Sequence, residues 1–327
     1  MPDTPDNAAG NVGGEPTRKN FGPFEVLREV SAGTLGEVYL CRRTGGTARD
    51  AVPFIVKTFK PDLVERRQEI DVLERPLHRC LIQYRQVGYD AEAERYFTVM
   101  DRLEVKPHSH ALLRTTRLNF KQKIKRFMDL GEALSKLHEL PDRNNPPRPL
   151  FHGALKPSNI LVRKPETDYH MLITDFGFLY RYSAEVWAES HSYFETWLFM
   201  PPEVILHAVP EFWPKHGPPP RPCPASDVYS WVLILVYSLN GGRDGFYYVT
   251  GKTQGEDRYD ERVREDLSIL YQKKLDVADR WTLVVGGKAE LDRDRFVEFV
   301  FKSLSPDPRD RYENMVEAME EFKACLL

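Results

Sequence analysis

Two hydrophobic periods divide the chain. From Phe24 to about Val99, apolar residues fall in short runs separated by turn-forming residues: Phe24–Val30, Glu37–Arg42, Val52–Phe59, Ile82–Tyr89 and Tyr96–Met100. Short runs rich in β-branched and aromatic residues predict strands. One stretch interrupts them. Asp62–Arg75 is rich in Glu and Arg around Leu63, Ile70 and Leu73, and predicts a helix. After about Leu103 the period lengthens. Phe120, Ile124, Phe127, Leu130, Leu134 and Leu137 recur at helical spacing, so a long amphipathic helix is expected there, ended by the Pro-rich stretch Pro141–Pro149. Val228–Leu239 is apolar nearly all round and, as a helix, must be buried; Asn240-Gly241-Gly242 is its expected stop. Pro210–Pro224 reads as a surface loop, and Glu313–Leu326, with Met315, Met319 and Phe322, as a last helix. No internal repeat is visible. The pattern predicts an α+β chain of two lobes with a cleft between them: a small β-rich lobe with one main helix over 21–103, and a larger helical lobe over 104–327. Residues 1–20 carry too few apolar side chains to offset the entropy of ordering, and predict a flexible tail.

Composition narrows the function classes. The 327 residues carry a net charge of −3, with a pI near 6.3. With no basic surplus, neither nucleic acid nor an anionic membrane is an expected partner. The basic residues Lys121, Lys123, Lys125 and Arg126 lie in a helical pattern and read as a solvated face. Cys41, Cys80, Cys223 and Cys325 are scattered, which speaks against a zinc site or a disulfide framework and suits a reducing compartment. The N-terminal residues do not read as a signal peptide, and the longest apolar run, Val228–Leu239, is too short to span a bilayer. A cytoplasmic protein without a membrane span is the expectation.

Three stretches carry candidate chemistry. Residues 31–38 read Ser-Ala-Gly-Thr-Leu-Gly-Glu-Val between two strand-like runs. Gly33 and Gly36 would let backbone N–H groups approach phosphate oxygens, although Ser31 stands where G-x-G-x-x-G has its first glycine, and an ordinary hairpin turn fits as well. Phe54-Ile55-Val56-Lys57 places a lysine in an apolar strand, where it must either find a partner or snorkel to water. Glu69 and Glu65 on the following helix are both candidate partners. The strongest stretch is Phe151-His152-Gly153-Ala154-Leu155-Lys156-Pro157-Ser158-Asn159-Ile160-Leu161-Val162, followed by Leu172-Ile173-Thr174-Asp175-Phe176-Gly177.

These segments resemble the H-R-D-L-K-P-x-N catalytic loop and the D-F-G motif of protein kinases. Further resemblances follow in the same order: Thr196 to Glu203, ending Met200-Pro201-Pro202-Glu203, to A-P-E; Asp227-Val228-Tyr229-Ser230 to D-x-W-S; Asp307-Pro308 through Arg311 to D-P-x-x-R. The likeness runs from about residue 22 to the C-terminus and implies the bilobal protein-kinase fold. It implies that Lys57 holds the α/β-phosphates and pairs with Glu69, and that Asp175 and Asn159 bind Mg²⁺. Lys156 would face the γ-phosphate, and with Thr196 it resembles the Ser/Thr class. Met100 takes the gatekeeper position, Asp101 to Leu103 form the hinge, and Val38 and Leu161 sandwich adenine. Leu73, His152, Phe176 and Asp227 match the packed spine, and Glu203 and Arg311 a buried ion pair.

Three departures from the pattern shape the functional expectation. Ala154 replaces the aspartate that accepts the proton of the substrate hydroxyl. Gly153 replaces the arginine that grips a phosphorylated activation loop. Ile55 replaces the alanine packed against adenine, adding volume to the pocket. The expectation is a pseudokinase that binds ATP and Mg²⁺ and acts as a nucleotide-responsive scaffold or allosteric regulator. Its partner would be a protein, such as an active kinase or a signalling complex. The alternatives are a weak or atypical Ser/Thr kinase working through Lys57, Lys156, Asn159 and Asp175, and a plain interaction domain using the Pro210–Pro224 loop.

Overall fold

The structure, a computed structural model, describes residues 20–33, 36–45, 53–59, 77–92, 94–102, 118–142, 146–163, 170–176, 199–208, 220–239 and 291–327. The expected helix at Asp62–Arg75, with Glu65, Glu69 and Leu73, lies outside them. So do Leu103, Gly177, Thr196, Asn240 to Gly242, most of Pro210–Pro224 and all of the expected tail except Asn20. The described residues of Met1–Pro61 and Arg85–Arg102 form one compact unit, and those of Asp62–Tyr84 and Leu103–Leu327 a second.

The first unit is a six-stranded antiparallel sheet. Its strands are β1 (Asn20–Phe21), β2 (Phe24–Gly33), β3 (Gly36–Arg43), β4 (Phe54–Phe59), β5 (Gln86–Asp90) and β6 (Arg95–Asp101), in the order β1-β2-β3-β4-β6-β5. Alternation sorts the side chains onto two faces. One carries the core of Phe21, Phe24, Val26, Cys41, Val56, Phe97 and Val99, with Tyr39 and Phe54 packed against it. The Phe21 ring lies 5.2 Å from Tyr39, and Phe24 lies 5.5 Å from Phe54. The other face carries the directly opposed pairs Val38–Lys57, Leu40–Ile55, Ile55–Met100 and Lys57–Thr98.

Two strand expectations shift. Asn20, assigned to the tail, pairs with Glu25 in β1. The run Ile82–Tyr89 yields a strand only from Gln86. Its first residues belong to the second unit, where the Ile82 N–H donates to the Ile173 carbonyl (2.9 Å) and the Ile173 N–H to that of Cys80 (2.7 Å).

The second unit is mainly helical. Helix α1 (Phe120–His138) follows the predicted period, and Ile124, Phe127, Leu130, Leu134 and Leu137 are all buried. A capping box starts it: Asn119 accepts from the Gln122 N–H, and the Gln122 side chain accepts from the Asn119 N–H, both at 2.9 Å. Strands β7 (Ile160–Arg163) and β8 (His170–Ile173) form a hairpin. Helix α2 (Pro202–Ala208) precedes α3 (Pro224–Leu239), which is buried from Ala225 to Ser238. Pro224, expected in a loop, is the first residue of α3, a position where the missing N–H has no helical partner to lose. Helices α4 (Arg293–Ser303) and α5 (Met315–Ala324) complete the unit. Trp231 of α3 packs edge-on against Phe127 at 6.1 Å and Phe322 at 5.3 Å. No described helix is long and apolar enough to cross a membrane.

One expectation is corrected by α1. Its basic residues do not form a single solvated face, because Lys123 and Arg126 are buried while Lys121 and Lys125 are exposed. The Lys123 ammonium donates to the Ser238 carbonyl at 2.7 Å, satisfying one of the last carbonyls of α3, and Arg126 lies 3.6 Å from Asp129.

Glu203 and Arg311 meet as the family likeness implies. Two nearly parallel bonds join them, Nη1–Oε1 at 2.7 Å and Nη2–Oε2 at 2.9 Å, and both side chains are buried. Arg311 also donates to the carbonyls of Ser305 and Pro306, and Ser226 donates to Glu203. Each charge is compensated several times, so removing one partner leaves the other stranded. Arg311→Gln is expected to lower the free energy of unfolding by about 3–5 kcal/mol. In a urea double-mutant cycle, Arg311→Gln with Glu203→Gln should lose clearly less than the sum of the single changes; strict additivity would contradict the pair.

Candidate functional site

In the sheet unit, strand register gathers the residues assigned to nucleotide contact. Lys57 lies across from Val38 on one side and Thr98 on the other, and Ile55 lies across from Leu40 and Met100. Val38, Ile55, Lys57 and Met100 thus share the face opposite the aromatic core. Lys57 Nζ lies 5.8 Å from the Phe59 ring centroid, two residues along the same strand. Thr98 is fully buried opposite Lys57, and its hydroxyl has no hydrogen-bond partner among the described residues. Ser31 pairs with Val38, and Gly33 with Gly36, closing the described part of the hairpin. The Asp101 carboxylate is engaged by the Arg85 guanidinium through Nε (2.9 Å) and Nη2 (2.5 Å).

In the helical unit, the catalytic-loop stretch is held by one carboxylate. Asp227, buried in the first turn of α3, accepts from the N–H groups of His152 and Gly153, the latter at 2.8 Å, and lies 3.0 Å from His138 Nε2. The Met315 N–H donates to His138 Nδ1 at 3.1 Å, so Nε2 carries the proton and the ring donates to Asp227. The His152 ring is fixed in the same way: its Nδ1 accepts from the Ala154 N–H (3.2 Å) and its Nε2 donates to the Thr174 carbonyl (3.0 Å). The ring also packs 5.2 Å from Phe176.

Asn159 completes the loop. Its side-chain Nδ2 donates to the Ala154 carbonyl at 2.9 Å, and its carbonyl accepts from the Thr174 N–H at 2.9 Å. With Nδ2 engaged, Oδ1 is the end of the amide available to a cation. Asp175, next along the chain, has φ +60, a left-handed conformation costing on the order of 1 kcal/mol that is tolerated where function over-determines the backbone. Two oxygen donors of this kind suit Mg²⁺, which keeps waters and phosphate oxygens in the rest of its shell. Among the described residues, no group of three or more His, Cys, Asp or Glu is placed to hold a metal without such help. Lys156 is half-buried in extended backbone just before the Pro157–Asn159 turn, and Leu161 pairs with Leu172.

The family profile described as protein kinase domain matches residues 24–322. The chain belongs to the protein kinase family. Among curated relatives of this kinase domain, the serine/threonine-protein kinase AtPK2/AtPK19 of Arabidopsis thaliana is 26% identical over 262 residues, covering 77% of this chain and 46% of the relative. The serine/threonine-protein kinase PknA of Mycobacterium tuberculosis is 24% identical over 228 residues, covering 68% and 48%. The chain thus spans about half the length of the curated relatives it matches. The crystal structure of the Mycobacterium tuberculosis PknI kinase domain shares the fold, with a TM-score of 0.55 at 16% identity, covering 93% of this chain and 97% of that one.

Within this kinase domain the position of the usual aspartate is plain. Ala154 is buried at 8% exposure. Among the described residues it makes two hydrogen bonds, its N–H to His152 and its carbonyl from Asn159, and neither involves a carboxylate. Gly153 has φ +76, which glycine adopts without the strain a side chain would bring. Lys57, Asn159, Asp175, Lys156 and Ala154 are all described, whereas Glu69 and Leu103 are not. Sequence reasoning missed His138, the Arg85–Asp101 pair and a cluster around Glu37. Each depends on a partner at least 16 residues away in the chain, so no local motif announces it.

Burial holds His152 well below its ordinary pKa, against the pull of Asp227 and of the Thr174 carbonyl. The folded kinase domain therefore keeps this ring neutral, while the unfolded chain takes up a proton near pH 6.5. The contribution of His152 is complete above that pH and is lost as pH falls below it. Stability is expected to drop below about pH 6.5 by up to ~1.4 kcal/mol per pH unit from this residue, with His78, also held low by burial, adding to the slope. His152→Gln should visibly flatten the profile in urea titrations between pH 7.5 and 5. An unchanged slope would contradict the assignment.

Proposed function

We propose that this kinase-family domain binds ATP with Mg²⁺ but transfers phosphate poorly or not at all, and works as a nucleotide-responsive scaffold or allosteric regulator. The observation that carries the reading is Ala154. A methyl group stands at the position of the proton acceptor, in a loop whose His152, Gly153 and Ala154 N–H groups are all hydrogen-bonded. A general base is typically worth about 10²–10⁴ in rate, and alanine has no lone pair with which to supply it. Lys57, Asn159 and Asp175 retain the side chains that would engage phosphates and metal. Ile55 adds volume where adenine would pack, so weakened nucleotide affinity is part of the proposal.

Bound nucleotide would stabilise the folded domain by mass action and so serve as a structural ligand. The partner in this reading is another protein, such as an active kinase or a signalling complex, in the cytoplasm. A second reading is favoured by the survival of Lys156 together with Asn159 and Asp175. Phosphoryl transfer depends mostly on positioning and electrostatics, so slow Ser/Thr phosphorylation without the base is its content, in keeping with the Ser/Thr kinases among the relatives.

The test is a thermal-shift titration with ATP, with and without Mg²⁺, on wild type and Lys57→Ala, followed by phosphotransfer assays on the same samples. Saturable stabilisation of wild type, lost in Lys57→Ala, without transfer above background is expected. Lys57-dependent transfer at ordinary kinase rates of about 1–100 s⁻¹ would overturn the inactive reading. Absence of any nucleotide effect would leave the plain interaction domain.

A further inference from the structure

The hairpin of β2 and β3, which carries the glycine-rich stretch, is fastened to the rest of the sheet by side chains to which the family likeness assigns no role. Gly36, the first residue of β3, lies so close to β4 that a Cβ on it would stand 2.0 Å from the Thr58 carbonyl oxygen. No other residue fits there without moving the two strands apart. At the next residue, the Glu37 N–H donates to Thr58 Oγ1 at 3.0 Å, and the Thr58 hydroxyl donates back to Glu37 Oε2 at 2.6 Å. Arg95, at the start of β6, donates through Nη1 to the same Oε2. Three strands are thereby joined through one carboxylate oxygen.

The cluster is sheltered, with the Glu37 side chain 21% exposed and that of Arg95 35%. Burial by itself would raise the Glu37 pKa, yet the bonds from Arg95 and Thr58 hold it below the ordinary carboxylate range. The carboxylate therefore stays charged at neutral pH, and the bonds to it are charge-assisted.

Position gives the cluster its consequence. Thr58 follows Lys57 and Glu37 precedes Val38, while Val38 and Lys57 face each other directly across β3 and β4. Successive residues of a strand point to opposite faces. The Glu37–Thr58–Arg95 cluster thus lies on the far side of the sheet from Lys57 and sets where the hairpin sits along β4 relative to that lysine. Ser31 removes one glycine from the loop pattern, leaving Gly33 and Gly36 to provide the close backbone approach.

We infer that Glu37, Thr58 and Arg95 are positioning residues that hold the glycine hairpin in place over Lys57, and that through it they make the site prefer phosphate-bearing nucleotides to the bare nucleoside. The inference rests on the nucleotide-binding reading proposed above. Hairpin N–H groups can meet phosphate oxygens, whereas adenosine offers none, so loosening the hairpin weakens ATP and ADP and leaves adenosine alone.

The experiment compares wild type, Glu37→Gln, Arg95→Ala and Arg95→Lys by two readouts. The first is hydrogen exchange of the backbone amides of residues 31–33 and 36–38 in the unliganded protein. The second is calorimetric affinity for ATP, ADP and adenosine. Glu37→Gln and Arg95→Ala should exchange faster in these segments and lose about tenfold or more in ATP and ADP affinity, with adenosine within about twofold of wild type. Arg95→Lys, which keeps a cation, should recover most of the loss. Equal weakening of ATP and adenosine, or unchanged exchange in Glu37→Gln, would overturn the inference. If wild type binds neither ATP nor adenosine, the nucleotide-binding reading fails and the selectivity with it. The exchange readout then shows, on its own, whether the cluster holds the hairpin.

Discussion

The buried carboxylate of Asp227 is the interaction on which the catalytic-loop region depends. It sits in the first turn of α3, the most buried of the described helices, and receives the N–H groups of His152 and Gly153 and the ring N–H of His138. Each of these donors would cost about 1–3 kcal/mol if left unpaired in the interior. From this point hydrogen bonds run in two directions. Through His138 they reach the first residue of the C-terminal helix, and through the His152 ring they reach Thr174, just before Asp175. The backbone around Ala154 and Asp175 is therefore tied to this one buried carboxylate.

That arrangement explains how the loop keeps its backbone with alanine at position 154. No hydrogen bond that shapes the loop uses the side chain at position 154. Asn159 bonds to the carbonyl of that residue and His152 to its N–H, and any residue except proline offers both. Gly153 goes further, removing strain that a side chain would bring at φ +76. The hydrogen bonds that shape the loop and the side chain at position 154 are therefore separable.

Much of this was legible in the sequence because its signals are local. The catalytic-loop and Asp175-Phe176 segments are contiguous motifs, the period of α1 marks its buried face, and the all-apolar run at Val228–Leu239 could only be buried. The likeness also paired Glu203 with Arg311 across 108 residues. What was not legible depends on distant partners. Lys123 looks like any surface lysine until the end of α3 is placed beside it. Ile82 looks like the start of a strand until β8 takes its N–H. Glu37 and Arg95 are separated by 58 residues, and no motif links them. β7, β8, α2 and α4 are four to eleven residues long, too short for their periods to stand out.

In the proposed reading the loop keeps a working geometry for phosphate transfer, and the missing base at Ala154 is what limits the rate. The most direct test is the single-turnover rate of phosphate transfer by Ala154→Asp compared with wild type, under saturating ATP and Mg²⁺. If the loop is intact, this one substitution should raise the rate by about 10²–10⁴. No increase, in a variant that folds and binds nucleotide as wild type does, would contradict the claim and place the defect elsewhere in the site.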